Sequence, residues 1–332
     1  MEIFEQLVKR ARRSKARVVF PESRHPRVLE AARQLLDEGL AQPVLCGDNI
    51  YIRPAAETAG VNLAGMEFLA VSNERLQRYA QQYCCARPRT GSKVAVRLLK
   101  RSVVTFAAMA VACDEADAMV AGIEHPTARV IEAGRMAIGL ADGLNTPSSY
   151  FLMIVPPTGP QPCRTLLFAD CAVNVEPDAR ELADIALASA QSAAGILQSV
   201  PRLAMLSFST QGSAKHARVN KVRQALALIQ EADPELLVDG ELQVDSALDP
   251  HVAKAKCSKH SEVAGQANVL IFPDLDAGNI GYKLVQQLAG AQAIGPVLQG
   301  FAKPISDLSR SASVDEIVKT TVLLVAGISS NC

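Results

Sequence analysis

Ala16-Arg17-Val18-Val19-Phe20-Pro21 is followed by an amphipathic stretch at 27–38 that closes on Gly39, and then by Val44-Leu45-Cys46-Gly47. The outer segments are short apolar runs stopped by Pro or Gly. The middle one has a helical period and a helix-stopping glycine. Strand, helix, strand is the unit from which parallel sheets are built, because a parallel connection needs a covering crossover. The pattern extends in both directions. Residues 2–13 read as an amphipathic helix, 73–85 and 93–112 are helical in period, and Ala118-Met119-Val120-Ala121-Gly122 is a strand running into a turn. Uninterrupted apolar strands between helices predict a parallel sheet covered on both faces.

Past residue 145 the rhythm changes. Residues 148–155 form an apolar run ended by Pro156-Pro157, 165–170 is a further strand, and the loop 174–178 precedes an Ala-rich helix at 179–198. Short strands follow at 203–207, 236–238 and 269–272, with a helix beginning around Val219. The proline-rich break from Pro156 to Pro162 is either a linker or a hairpin tip. Two α/β lobes with a cleft between them are expected.

The 332 residues suffice for two domains, and 49% are apolar. Aromatics are 4% and Trp is absent, so the core must be aliphatic and Ala-rich. With 34 basic and 34 acidic residues, no global field recruits nucleic acid or an anionic membrane. No stretch is long and apolar enough for a membrane span, and the start of the chain lacks signal-peptide character. The eight cysteines (Cys46, Cys84, Cys85, Cys113, Cys163, Cys171, Cys257, Cys332) form no C-x-x-C pair and no zinc spacing with His. Scattered thiols fit a reducing cytoplasm, with redox or metal chemistry at Cys84-Cys85 the minor alternative.

The tail carries the chemistry. Asp307-Leu308-Ser309-Arg310 places a hydroxyl beside a guanidinium on a polar turn, and Ser313-Val314-Asp315-Glu316 starts a helix immediately after. Ser309 can donate to a carbonyl oxygen gaining charge, and Arg310 can hold a phosphate with its planar fork. The alternative is a turn serine beside a surface arginine. Ser313 and Glu316 also satisfy a capping box. As a general base for a thiol, Glu316 faces a gap of roughly 4 pKa units, about 6 kcal/mol, and a helix N-terminus favours its ionised form.

Three other strand ends are polar. Ser207-Phe208-Ser209-Thr210-Gln211-Gly212-Ser213-Ala214-Lys215 follows a strand and suits a phosphate cradle through Ser207, Ser209, Gly212 and Ser213, although it is no Walker loop. In Ala121-Gly122-Ile123-Glu124-His125-Pro126-Thr127, Thr127 either caps a helix or meets an anion. After 269–272, Asn279 and Lys283 are polar groups facing the cleft, or else belong to a plain first helical turn. Asp274 and Asp276 lack a third ligand at calcium spacing, so no metal is expected. The absence of G-x-G-x-x-G removes the usual support for a nicotinamide cofactor.

Several patches together resemble the phosphate acetyltransferase (phosphotransacetylase) family. They are Val18-Val19-Phe20-Pro21-Glu22 with Arg27-Val28-Leu29, Phe168-Ala169-Asp170-Cys171-Ala172-Val173-Asn174, Leu206-Ser207-Phe208-Ser209-Thr210, Val238-Asp239-Gly240-Glu241-Leu242-Gln243, Gly278-Asn279-Ile280-Gly281-Tyr282-Lys283 and Asp307-Leu308-Ser309-Arg310. The likeness is greatest to the short form linked to ethanolamine use. It implies a two-domain, three-layer α/β/α fold of the isocitrate/isopropylmalate dehydrogenase type, with the active site in the interdomain cleft. One domain is expected at 1–145 plus 297–332 and the other at 146–296. It also implies a cytoplasmic homodimer, in or out of a bacterial microcompartment. The implied reaction is acetyl-CoA + phosphate ⇌ acetyl phosphate + CoA, with CoA as substrate and no permanently bound cofactor. Thiolate attack would occur in a ternary complex. By the resemblance Ser309 steadies the oxyanion, Arg310 holds the acyl phosphate, Glu316 stands where the family has an Asp base, and Arg87, in Arg87-Pro88-Arg89-Thr90-Gly91, is a cleft arginine associated with CoA.

Three departures stand out. The family writes Ser-Arg-Gly-Cys-Ser where this chain has Ser309-Arg310-Ser311-Ala312-Ser313. Glu132 replaces a family arginine, with Arg129 and Arg135 near enough on the helix to substitute. Glu316 is one methylene longer than Asp. Rival readings are a phosphate butyryltransferase-like enzyme, a degenerate homologue that binds CoA or acyl phosphate without turnover, and a metal-dependent dehydrogenase on the same fold.

Overall fold

The computed structural model describes residues 2–157, 162–258 and 260–328, with no side-chain account of Glu2. The chain first runs through α1 (Glu2–Ser14), β1 (Arg17–Phe20), α2 (Pro26–Asp37), β2 (Gln42–Cys46), α3 (Asn49–Ala59), β3 (Glu67–Leu69), α4 (Asn73–Ala86), α5 (Ser92–Arg101), α6 (Val103–Ala112), β4 (Ala118–Ala121) and α7 (Thr127–Ala137). Next come β5 (Ser148–Val155), β6 (Arg164–Ala169), α8 (Ala179–Ile196), β7 (Leu203–Leu206), α9 (Ala217–Ala232), β8 (Val238–Leu242), α10 (Val244–Leu248), α11 (Pro250–Lys256), β9 (Val269–Ile271), α12 (Leu275–Ala289) and β10 (Gln292–Gln299). The chain ends with β11 (Ile305–Asp307) and α13 (Val314–Ile328). It divides into two compact units, 2–142 with 301–328 and 143–300. The sequence-based boundaries were 145/146 and 296/297.

In the first unit the strands lie in the order β3-β2-β1-β4-β11, with β2–β3, β1–β2, β1–β4 and β4–β11 all paired parallel. Steps from β1 to β2 to β3 run toward one edge, while β4 and β11 lie on the other side of β1. Right-handed crossovers then place the two sets of helices on opposite faces. Accordingly α13 packs on α1, α2 and β4, while α6 packs on α4, α5, α7, β1 and β4. Leu29, Leu45, Ile52 and Met66 form one aliphatic core cluster between α2, β2 and α3. The expected single helix at 93–112 is two helices. Ser102 adopts extended angles, and its hydroxyl accepts from the Thr105 amide at 3.1 Å, so α5 stops and α6 starts anew. The break turns an amphipathic helix into one buried from Val104 through Val111.

In the second unit the order is β10-β5-β6-β9-β7-β8. Strands β6, β9, β7 and β8 are parallel, but β5 pairs antiparallel with both β6 and β10. The parallel sheet expected from the strands before residue 122 is found in the first unit, and the changed rhythm past residue 145 corresponds to this antiparallel β5. Val155 stands opposite Arg164, so β5 and β6 pair as an antiparallel hairpin. Of that proline-rich break, residues 158–161 lie outside the described ones. The core is more aromatic than composition suggests. Phe151 stacks on Tyr282 at 4.3 Å between ring centroids, and Phe168 tilts against Phe272 at 5.2 Å. Strand β8 spans Val238–Leu242 instead of 236–238, because it carries Asp239, Gly240 and Glu241 and so shows no apolar run. Gly240 permits close packing there, since a Cβ would lie 2.6 Å from that of Met205.

Candidate active site

In the first unit the carboxyl ends of β1, β4 and β11 lie side by side where the strand order reverses, the place where open α/β sheets bind ligands. Just past β1, Glu22 is 3% exposed. Its Oε2 accepts the amides of Gly122 at 2.9 Å and Ile123 at 3.0 Å, and its Oε1 accepts those of Glu124 at 2.8 Å and His125 at 3.0 Å. The His125 ring adds Nδ1 at 2.8 Å from Oε1. A buried carboxylate normally needs such compensation. Here four successive amides supply it, and the loop after β4 is locked. Those amides are therefore not open to a phosphate, although Thr127 at the end of the loop is half-buried and starts α7.

Thr127 and the Ser309 turn meet through Asp307. The Thr127 hydroxyl donates to Asp307 Oδ2 at 2.5 Å, and the Leu308 amide donates to Ala121 O at 2.7 Å, carrying the β4–β11 pairing one residue further. Gly122, at φ +114°, makes this possible, since a Cβ there would lie 2.3 Å from Asp307 Oδ1. Asp307 is 2% exposed. Burial pushes its carboxyl up to about 7, the Thr127 hydrogen bond opposes this, and the Glu22 charge adds to it.

Beyond Asp307 the chain turns outward. Ser309 and Arg310 are exposed. Ser309 Oγ lies 2.9 Å from Ser311 Oγ and 3.3 Å from the Ser311 amide, and the Ala312 amide donates to Ser309 O at 2.9 Å. Arg27 on α2 pins the turn from beneath, donating to Ala312 O and, at 3.0 Å, to Arg310 O. The Arg310 guanidinium has no hydrogen bond or ion pair among the described residues. Ser311, which stands where the family has glycine, does not adopt a positive φ; the described non-glycine residues that do are Lys15, Asp114 and Gln211. Ala312 is 4% exposed and packs inward.

Glu316 forms the capping box. Its Oε2 accepts the Ser313 amide at 2.8 Å and the Ser313 hydroxyl at 3.1 Å, while its own amide donates back to Ser313 Oγ at 3.2 Å. The carboxylate is exposed. Arg87 caps the other end of α7, giving hydrogen bonds to Met136 O and, at 2.7 Å, to Arg135 O, with its guanidinium 5.1 Å from the Tyr83 ring centre. Glu132 pairs with Arg129 at 2.8 Å, so Arg129 answers the acid on its own helix, and the Arg135 side chain has no partner among the described residues.

In the second unit the serine-rich loop after β7 also closes on itself. Ser209 Oγ donates to Glu241 Oε1 at 2.8 Å, and the Gly212 amide reaches the same oxygen at 2.7 Å. Ser213 Oγ accepts the Thr210 amide at 3.0 Å, and Ser209 Oγ accepts the Ala214 amide at 3.0 Å. Glu241 thus occupies the place the sequence suggested for a phosphate, and Arg223 pairs with it at 3.1 Å. Asp170 does the same after β6, accepting from the Ser149, Ala172, Val173 and Asn174 amides. Asn279 ties α12 to that loop through Cys171 O at 3.1 Å, and Lys283 is exposed beside the Tyr282 ring. Ser207 faces a cavity of about 350 Å³ shared with Phe208, Arg218, Lys221, Phe272 and Asp274. Sequence reading missed Arg218 and Lys221, which look like ordinary polar residues of a helix. Among the described residues no cluster of three His, Cys, Asp or Glu side chains could hold a metal ion, and no helix is long and apolar enough to cross a membrane.

The whole chain answers to one family. Residues 2–325 match the family described as Phosphate acetyl/butaryl transferase. The chain belongs to that family. A phosphate acetyltransferase of Clostridium acetobutylicum is 41% identical over 327 residues, 98% of each chain. Among solved structures, a phosphotransacetylase from Streptococcus pyogenes aligns with a TM-score of 0.89 at 36% identity over 98% of each chain. The EutD phosphotransacetylase from Staphylococcus aureus aligns at 0.86 and 34%, over 98% of this chain and 99% of that one. The transferase family shares its fold with a 4-hydroxythreonine-4-phosphate dehydrogenase from Burkholderia phymatum, at a TM-score of 0.52 and 12% identity, covering 94% and 97% of the two chains. That agrees with the dehydrogenase-like fold expected from the resemblance.

Proposed function

We propose that this protein is an acyltransferase that exchanges acetyl between CoA and inorganic phosphate. The CoA sulfur attacks the acetyl carbonyl of acetyl phosphate, the carbon–oxygen bond to phosphate breaks, and phosphate leaves with the electron pair. The thiol proton goes to a base. Both acyl donors are already activated, so positioning and charge stabilisation supply most of the acceleration. The observation that carries the reading is the Ser309-Arg310 turn. Both side chains are exposed, the Arg310 guanidinium is unpaired among the described residues, and Arg27 fixes the backbone beneath them. Ser309 steadies the carbonyl oxygen, Arg310 holds the phosphoryl group, and Thr127 adds a hydroxyl at the start of α7. Glu316 receives the thiol proton from a position fixed by its capping box.

The second unit supplies candidates for CoA. Ser207 lines a cavity whose apolar faces and two cations suit a flat base next to phosphates. Ser209, Gly212, Ser213 and Asn279 shape loops of this unit through internal bonds, and Lys283 is its remaining cationic candidate, while Arg87 is a cationic candidate on the first unit. A homodimer is supported by α12, which exposes Ile280 (56%), Leu284 (52%) and Leu288 (82%) at helical spacing. The described cysteines are free, in keeping with a cytoplasmic location.

The test is CoA-dependent thioester formation from acetyl phosphate. Ser309→Ala and Arg310→Gln should each lower kcat by about 10²–10³, the range for loss of an oxyanion donor. Full turnover in either variant would remove the assigned role. The family description also covers butyryl transfer. Comparing kcat/KM for acetyl and butyryl phosphate separates that second reading, and a preference for butyryl phosphate would replace acetyl in the reaction above.

A further inference from the structure

Asp307 is a buried acid with half of its hydrogen-bonding capacity unused. Oδ2 accepts the Thr127 hydroxyl at 2.5 Å, while Oδ1 is buried without a hydrogen-bond partner among the described residues. Among the described residues no cation pairs with it. Glu22, the other acid at this sheet edge, has both oxygens filled by amides and His125. Elsewhere around the site, Arg27 is bonded to the carbonyls of 310 and 312, and Arg129 is paired with Glu132. His25 sits on the turn before α2, and the Arg310 side chain points outward from Asp307's own segment.

We infer that Asp307 is a positioning residue that sets the direction of the Thr127 hydroxyl, so that phosphate binding takes up a proton. Thr127 has one hydroxyl proton. When Asp307 is ionised, that proton points inward to Oδ2 and the hydroxyl turns lone pairs toward solvent. A phosphate oxygen arriving there meets lone pairs and a nearby negative charge. When Asp307 is protonated on Oδ2, the acid donates to Thr127 Oγ1, and the threonine proton is released to donate outward. An anion at Thr127 therefore selects the protonated acid. Burial already holds that acid up to about 7, so the change requires little free energy at neutral pH. The inference rests on the reading of Thr127 as part of the phosphate site.

The sign follows from linkage. The phosphate complex binds more protons than the free protein, so affinity falls as pH rises through about 7, by up to about tenfold per pH unit for one coupled proton. The experiment measures kcat and the KM for inorganic phosphate from pH 6 to 8.5, in wild type, Asp307→Asn, Thr127→Ser and Thr127→Val. Calorimetric titration of phosphate in buffers of different ionisation enthalpy counts the protons. Wild type and Thr127→Ser should show KM climbing about fivefold between pH 7 and 8, and more steeply above, with little change in kcat, and an uptake approaching one proton at the upper end of the range. In Asp307→Asn the side-chain amide donates to Thr127 permanently, so only the ionisation of phosphate itself should remain. Thr127→Val should be equally flat, with a higher KM at low pH. Asp307→Asn keeping the wild-type slope, or wild type binding phosphate without proton uptake, would overturn the inference. If Asp307→Asn does not fold, the contrast between Thr127→Ser and Thr127→Val decides. Proton-coupled phosphate binding without CoA-dependent turnover would sink the proposed reaction and leave this inference standing. Turnover with proton-independent phosphate affinity would do the reverse.

Discussion

Replacing Glu22 with Gln tests whether an internal carboxylate, and not a ligand, holds the loop after β4. Gly122 and Ile123 donate to one oxygen, Glu124 and His125 to the other. Whichever way the Gln amide is turned, its NH₂ faces two backbone donors that then have no acceptor. Hydrogen bonds to a charged group contribute about 1.5–3 kcal/mol each, so losing two costs roughly 3 kcal/mol at the least. On the scale of 1.36 kcal/mol per factor of ten, the amides of 122–125 should exchange with deuterium roughly 150-fold faster. Hydrogen-exchange mass spectrometry of a peptide spanning 119–128 reads this directly. Peptides from the second unit serve as the internal reference. Neutralising Glu22 also removes a charge that helps hold the Asp307 carboxyl up, so the rise in phosphate KM should begin at lower pH. Exchange at 122–125 accelerated less than about threefold would refute the reasoning, since both lost acceptors would then have been worth under 1 kcal/mol together.

Arg27→Met should leave Ser309 and Arg310 in place but unpin their turn, lowering kcat by about 10-fold or more while CoA KM changes little; an unchanged kcat would show that the turn holds itself. Glu316→Gln keeps a side chain able to cap α13, so thermal stability should stay within about 0.5 kcal/mol of wild type, while turnover falls further than in Glu316→Asp. Wild-type turnover in that variant would leave Glu316 only its capping role. Leu284→Lys on α12 should convert a dimer to a monomer in light scattering, and an unchanged mass at micromolar concentration would place the interface elsewhere.

Local pattern carried the alternation well. Strand β5 at Ser148–Val155 and helix α4 from Asn73 were legible because an apolar run with its Pro stop and a helical period act within a few residues, and the structure adds Ser72 as the cap of α4. The break at Ser102 was not legible. The apolar period continues across it, and only burial of α6 on all sides makes the cap outweigh helix continuity. The strand direction of β5 depends on its partners, which no local signal states. At the site, Ser309, Arg310 and the Ser313-Glu316 box could be read from sequence. Glu22, Asp170, Glu241 and Asp307 were noticed only as letters in a family likeness. Each is a buried acid inside, or within two residues of, a core strand. That mismatch was the available signal, because such an acid is tolerated only where amides or hydroxyls converge on it. The polar loops after β4 and β7 suggested phosphate cradles because spacing alone cannot reveal that the chain brings its own anion.

The first unit also has an awkward birth. Its sheet is completed by β11, and α13 lays nine buried side chains, from Ile317 to Ala326, against the unit that contains α1 and α2. A ribosome releases α1 more than three hundred residues before the helix that covers it. The 143–300 unit is contiguous and has all its strands as soon as β10 emerges. During vectorial synthesis the middle of the polypeptide should therefore be the first part to resist proteases, with the early helices waiting, exposed to chaperones, for the tail to arrive.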